Sequence, residues 1–493
     1  MKLKVRFLKW STGAPVALLN NETAEKIGVH SLDRVVIKTR HNTPKKISTI
    51  VNTIMGTVGK KEIVVSCELK QALGLKSGQE VEVVFAPTPN SLGFIKKKLE
   101  NQRLKKNEIE EIIQDVVGNS LSDSEIALFV SAMHRNGMSM RETIYLIQAM
   151  IKTGNCLDIK DRVLSDKHSI GGIPGNRTTP LVVAICAAAG LTLPKTSSRA
   201  ITSPAGTADV IETIAKVEFS MKELKKIIYK TNACLIWGGA LGVVPADEKI
   251  IKIEKILKID PRAQLLASIM SKKIAMGSKY VLIDIPYGKG TKVTKKEAKI
   301  LQRKFVAIGK HFHMKVQCVL TDGKQPIGNG IGPVLELIDI LRVLEPKVKG
   351  PEDLEKKSIF LSGKLLELAG KARKGKGEHL ARETLYSGRA LLKFKEIIQA
   401  QGGSFKNIKL SKFKKEIISA KSGEIKEIDN KLINSLARIA GCPTDKQAGL
   451  YLYKHMGDKI KQGEPVITIY AESNARLLEA EKFYRKSHPI KIG

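Results

Sequence analysis

A chain of 493 residues exceeds what a single hydrophobic core serves, and at about 150 residues per unit it predicts three or four compact units. With 42% hydrophobic and 27% charged residues, the composition excludes disordered and fibrous classes, and no run approaches the ~20 apolar residues needed to span a bilayer. The 84 basic side chains against 49 acidic ones give a net charge of +35, yet only 18 of them are arginine and aromatics stand at 5%, which argues against nucleic-acid recognition. The lysine clusters Lys96-Lys97-Lys98, Lys272-Lys273 and Lys371 to Lys376 read as solvated faces whose field attracts phosphate and nucleotide anions. Cys67, Cys156, Cys186, Cys234, Cys318 and Cys442 are scattered without a CxxC pair and read as small buried hydrophobes, so neither a disulfide framework nor a zinc site is expected. The strand-like N-terminus carries no signal-peptide pattern, and the expected setting is cytoplasmic, with no membrane partner.

In chain order, residues 1–87 contain an internal repeat with an offset of 46: Asn20-Asn21-Glu22, Gly28, Ser31, Val35 and Ile37 match Ser66-Cys67-Glu68, Gly74, Ser77, Val81 and Val83. Each copy reads as a strand, a capped short helix, a glycine stop and a returning strand, and two such copies must interlock to bury a core, giving a small β-rich barrel. Ala86 to Asn90 is a linker. Residues 88–158 turn helical, with Ile109, Ile112, Ile113 and Val116, then Ile126, Phe129, Val130 and Met133, at a period of 3.6. Residues 159–344 alternate apolar strand-like runs with helices, which implies an α/β domain with a largely parallel sheet. Residues 345–493 begin with basic helices and become β-rich from Phe405, a C-terminal α+β domain. The fold class is therefore multidomain α/β. His311-Phe312-His313 would place two imidazoles on one strand face, but no third ligand at fitting spacing accompanies them, and no metal is expected.

Two loops carry the chemistry. Lys167-His168-Ser169-Ile170-Gly171-Gly172 leads through Arg177-Thr178-Thr179 into a helix, combining a point charge, hydroxyls, close backbone approach and a helix N-terminus, the provisions an anion needs. A Gly turn beside a solvated lysine is the bland reading of that segment alone. Ser197-Ser198-Arg199-Ala200-Ile201-Thr202-Ser203-Pro204-Ala205-Gly206-Thr207 then packs five hydroxyls and an arginine before Ala208-Asp209, too many for one helix cap.

The pattern KHSxGG followed by SxRxxxxxxGTxDxxE resembles the signature of the thymidine and pyrimidine nucleoside phosphorylases. Gly137-Met138 with Arg141-Glu142-Thr143, Leu265 to Lys273 and Gln325 to Gly330 agree with it, and the resemblance runs from about Phe94 to the end. Two departures point to the nucleotide-cleaving archaeal branch: the base-holding arginine is replaced by the stretch Lys249 to Lys255, and the repeated barrel is added in front.

The resemblance implies phosphorolysis of AMP, with CMP and UMP as further substrates, to free base and ribose 1,5-bisphosphate. The nucleoside-cleaving activity is the alternative. It assigns phosphate to Lys167, Ser169 and Ser197, with Thr207 at hand, and nucleotide contacts to Gly172, Ser198, Arg199, Ala200, Ile201, Thr202, Ser203, Thr207, Ser268 and Lys292. Asp260 becomes the proton donor to the departing base, although Asp before Pro261 at a helix start also reads as an N-cap. Phosphate is a co-substrate, no cofactor is implied, and a homo-oligomer, dimer or larger, is expected from the resemblance.

Overall fold

The computed structural model describes residues 1–7, 15–40, 43–200, 203–406 and 408–493. The chain forms two compact units, one of Met1–Thr153 with Val244–Ser268 and one of Gly154–Val243 with Ile269–Gly493.

The first unit begins with β1 (Lys2–Phe7), β2 (Val16–Asn20), α1 (Asn21–Ile27), β3 (Arg34–Thr39), β4 (Lys46–Ile54), β5 (Glu62–Val65), α2 (Cys67–Leu73) and β6 (Glu80–Ala86). These strands close into a barrel in the order β1-β5-β2-β4-β3-β6. The repeat fixes the register. Lys4 of β1 stands opposite Glu62 of β5, and moving each by the 46-residue offset gives Ile50 opposite Val16, the parallel register in which β4 meets β2. Alternating residues such as Leu3, Val5, Val35, Ile37, Val81 and Val83 fill the interior, as the two-residue period of a strand requires. The helices are equivalent too: the Asn20 side chain accepts from the Glu22 N–H at 3.0 Å, and Ser66 Oγ accepts from the Leu69 N–H at 3.4 Å. Gly28 (φ 75°) and Gly74 (φ 66°) end the two helices in the left-handed region.

Helices α3 (Ser91–Leu99), α4 (Lys106–Val117), α5 (Asp123–Asn136) and α6 (Met140–Lys152) follow, the last two opened by the capping boxes Ser122/Glu125 and Ser139/Glu142. From Gly154 the chain builds the second unit with β7 (Leu164–Ser169), α7 (Thr178–Ala188), β8 (Leu193–Ser197), α8 (Thr207–Ile211), α9 (Met221–Thr231) and β9 (Ala233–Trp237). It returns to the first unit for α10 (Pro245–Leu257) and the opening turns of α11 (Arg262–Ala275). It then completes the second unit with β10 (Ser278–Tyr287), α12 (Lys295–His311), β11 (Lys315–Asp322), β12 (Gly330–Ile331), α13 (Pro333–Leu344), α14 (Glu352–Leu368), α15 (Gly377–Tyr386) and α16 (Arg389–Ala400). The C-terminal part adds β13 (Phe413–Ile418), β14 (Gly423–Ile428), α17 (Asn430–Ala440), β15 (Gly449–Leu452), β16 (Lys459–Ile460), β17 (Pro465–Ala471), α18 (Asn474–Ser487) and β18 (Ile490–Ile492).

In the second unit β11, β10 and β7 form a parallel sheet, β8 and β9 pair in parallel, and a parallel bridge from Leu164 to Thr192 sets the two groups side by side. α7 is buried from Thr178 to Ala187, which is why it is apolar on every side, and it packs against α14 and α16. The C-terminal strands make the antiparallel orders β12-β15-β17-β13 and β16-β14-β18 around a core of their own. Among the described residues no helix is long and apolar enough to cross a membrane.

Four expectations change. Val244–Ser268 belongs with the helical segment and not with the α/β domain assigned to 159–344. The reason is local: Ile250 and Ile253 are buried, and Lys249 Nζ donates to the last carbonyls of α4, Val116 O at 2.8 Å and Val117 O at 2.9 Å. The lysine clusters are not uniformly solvated, because Lys98 Nζ is buried 3.0 Å from Glu142 and Lys273 Nζ is buried 2.5 Å from Asp166. His311 ends α12 and His313 occupies the turn before β11 with φ 55°, so the pair shares no strand face. Cys156 is exposed and Cys67 half-buried, while the other four cysteines are buried.

A Cβ built on Gly28 or Gly74 meets nothing within 4 Å, so substitution there costs only backbone conformation. Gly28→Ala and Gly74→Ala are each expected to destabilise the barrel by about 1 kcal/mol in urea unfolding, with the Gly→Asn variants milder. Unchanged midpoints would contradict the left-handed caps.

Candidate functional site

β7 ends where the first loop begins, and its alternation sends Lys167 and Ser169 to one face and Asp166 and His168 to the other. Lys167 is fully enclosed, and its Nζ donates to Thr178 Oγ1 at 2.7 Å and Thr179 Oγ1 at 3.3 Å, the first residues of α7. Burial pushes its pKa down to about 7, opposed chiefly by the charge of Asp284. An anion that needs this ammonium therefore loses its partner as pH rises through that value.

On the opposite face Asp166 lies between Lys273 and Lys195, the latter at 3.2 Å, and these charges hold its carboxyl below the usual range although desolvation acts upward. Desolvation and the nearby lysines, Lys273 foremost, push the pKa of partly buried His168 well below its ordinary value, so the imidazole is neutral. Gly172 has φ 97°, and a Cβ there would come within 3.2 Å of the Lys292 backbone nitrogen. That contact brings the Gly288 to Val293 loop against the first loop.

The second loop is organised by a residue that follows it. Asp209 Oδ2 accepts from the Ala200 N–H at 2.7 Å and the Gly206 N–H at 2.8 Å, while Lys446 Nζ lies 3.2 Å from Oδ1. The backbone folds so tightly that a Cβ on Gly206 would stand 2.4 Å from Ser198 O. Thr207 Oγ1 accepts from Arg177 at 3.2 Å, and Arg177 also donates to Ala205 O at 2.7 Å and to buried Glu336 at 2.5 Å. Ser197 Oγ donates to Ile236 O at 3.0 Å. Ser203 Oγ donates to Ala205 O at 2.9 Å, and Ser198 is exposed.

Arg199 is engaged rather than open: it makes a two-pronged pair with Glu212 at 2.6 and 2.7 Å, reaches Glu218 at 2.9 Å and stacks on Trp237. Glu212 is held at about 2, first by Arg199 and then by Lys446. Ile201 and Thr202 lie outside the described residues.

Asp260 and Ser268 belong to the first unit. Arg262 is the first helical residue of α11 and Pro261 O accepts from the Leu265 N–H at 2.9 Å, so Pro261 takes the cap position and exposed Asp260 precedes it. Ser268 Oγ donates to fully buried Asp247 at 2.9 Å, and Gln264 donates to the other carboxylate oxygen at 2.9 Å. Among the described residues no cluster of three or more His, Cys, Asp or Glu side chains is arranged to hold a metal. Glu336 and Lys446 leave no mark in the sequence reading, and Arg177 stands in it only as part of the first loop, since pairs 159 and 237 residues apart leave no local spacing signal.

Three family descriptions match in order: the helical bundle domain of the glycosyl transferase family over residues 93–154, its a/b domain over 161–391, and the pyrimidine nucleoside phosphorylase C-terminal domain over 424–491. The AMP phosphorylase of Thermococcus kodakarensis is 47% identical over 498 residues, covering 100% of this chain and 98% of that protein. The chain belongs to the AMP phosphorylase family. The AMP phosphorylases of Pyrococcus furiosus, 45% identical (100% of this chain, 98% of that protein), and Methanococcoides burtonii, 44% identical (99% and 97%), agree. The match covers the N-terminal barrel as well as the rest of the chain. A crystal structure of anthranilate phosphoribosyltransferase from Thermus thermophilus is similar in fold, with a TM-score of 0.52 and 18% identity over 62% of this chain and 99% of that one.

In this family member Asp209 is predicted to hold the second loop shut. Asp209→Ala should speed amide hydrogen exchange at Ala200 and Gly206 by about tenfold or more, each amide having lost its acceptor. Wild-type protection there would contradict that role.

Proposed function

We propose that this chain cleaves AMP with inorganic phosphate, releasing adenine and ribose 1,5-bisphosphate, and that CMP and UMP are further substrates. The carrying observation is the enclosed ammonium of Lys167 beside the two threonine hydroxyls that open α7. One phosphate oxygen attacks the anomeric carbon, the bond from that carbon to the base nitrogen breaks, and the base leaves with its electron pair and takes up a proton.

Lys167, Ser169, Ser197 and Thr207 hold the attacking phosphate in this reading. A helix N-terminus and charge-assisted donors favour an anion where water is largely excluded. Gly172, Ser198, Arg199, Ala200, Ile201, Thr202, Ser203, Ser268 and Lys292 contact the nucleotide, and Asp260 gives the proton to the base. Arg199, which already meets two carboxylates, and Lys292 are the two cations to test for the substrate's 5′-phosphate. Phosphate enters as co-substrate and no cofactor takes part. The enzyme works as a homo-oligomer, dimer or larger, by the same family likeness.

Purified protein should consume AMP only when phosphate is supplied, with one adenine released per ribose 1,5-bisphosphate formed, and should act on adenosine far more slowly. Asp260→Asn should lower kcat by about a hundredfold or more with AMP binding largely retained. Adenosine cleaved faster than AMP would replace this reading with a nucleoside phosphorylase, and a wild-type rate in Asp260→Asn would remove the proton-donor role.

A further inference from the structure

The parallel pairing of β10 with β7 sets Asp284 directly beside Ser169, on the face that carries Lys167. Asp284 is fully buried. Its carboxylate accepts from Thr321 Oγ1 at 2.6 Å, and Lys357 Nζ of α14 lies 3.2 Å from Oδ2. The Lys357 side chain is 10% exposed, and both its Nζ and Asp284 Oδ2 are buried without an aligned hydrogen-bond partner, so their attraction is electrostatic.

Lys167 makes no direct ion pair among the described residues: its ammonium is held by Thr178 and Thr179 and senses Asp284 only through space. An ammonium has three donors, and two are taken. In a low-dielectric interior a buried carboxylate pulls strongly on the nearest cation. Were Lys357 absent, that cation would be Lys167, and a direct pair would consume the donor that an incoming anion needs. Lys357 meets the Asp284 charge from α14 instead.

We propose that Lys357, acting through Asp284, is a positioning residue of the phosphate subsite, keeping the Lys167 ammonium directed at inorganic phosphate. This rests on the phosphorolytic reading of Lys167 and Ser169.

The test uses the full chain as wild type, as Lys357→Met, and as the double variant Asp284→Asn/Lys357→Met, because removing both members of a buried pair spares the fold when removing one does not. Inorganic phosphate is titrated into each protein by calorimetry, and AMP phosphorolysis is measured with phosphate and AMP varied separately. Lys357→Met is expected to weaken phosphate binding and raise the phosphate KM by about tenfold or more, with the AMP KM within about twofold. In the double variant no carboxylate remains to draw off the Lys167 ammonium, so phosphate affinity should recover most of what Lys357→Met loses. A lowered melting temperature with an unchanged phosphate KM in Lys357→Met would overturn the proposal, as would a double variant that binds phosphate no better than Lys357→Met. If the wild type binds phosphate without releasing adenine from AMP, the phosphorolytic reading falls, and the calorimetric comparison still decides the role of Lys357.

Discussion

An ammonium enclosed at the end of a central strand is the constraint around which the second unit is arranged. Lys167 is shut off from solvent, so its charge must be met by hydroxyl oxygens and by a carboxylate at a distance. Thr178 and Thr179 supply the oxygens because α7 starts directly after the glycine loop. Asp284 supplies the field because β10 runs parallel to β7 with Ser169 in register. The apolar body of α7, packed against α14 and α16, fixes where that helix begins and hence where the threonines stand.

The same rule of paired burial recurs throughout the molecule and gives the net charge of +35 a different meaning from the one composition suggests. Most lysines face water, but those that matter for structure are enclosed with an acid: Lys98 with Glu142, Lys195 and Lys273 with Asp166, and Lys357 with Asp284. A buried pair contributes little net stability against an apolar replacement, yet it leaves few alternative arrangements for the strands that carry it. In the second loop the logic is inverted. The acid Asp209 is central, and it gathers the Ala200 and Gly206 amides and Lys446 around one carboxylate.

Much of this was legible in the sequence. The 46-residue offset carries the barrel register, because equivalent residues of two copies must meet equivalent partners, and Gly28 and Gly74 mark both helix ends. The loops beginning at Lys167 and Ser197 were legible because their provisions for an anion lie in consecutive residues. What sequence could not give is what distance hides. Arg177 meets Glu336 and Asp209 meets Lys446 across 159 and 237 residues, and Lys357 sits on a helix whose mixed charges single out none of its lysines. The placement of Val244–Ser268 depends on Lys249 finding the end of α4, a contact with no periodic signature. The histidine pair breaks strand alternation because His311 ends α12 and His313 stands in a left-handed turn.

Titration of Lys167 itself is the most direct measurement. With lysine side chains carrying a carbon-13 label next to the amine, the resonance missing from a Lys167→Met spectrum identifies the group, and its chemical shift can be followed against pH. The structure predicts a midpoint at about 7, moving upward when inorganic phosphate is saturating, since a bound anion favours the charged form. A midpoint at the ordinary lysine value of 10.5, unmoved by phosphate, would contradict both the enclosed ammonium and its role in holding the attacking anion.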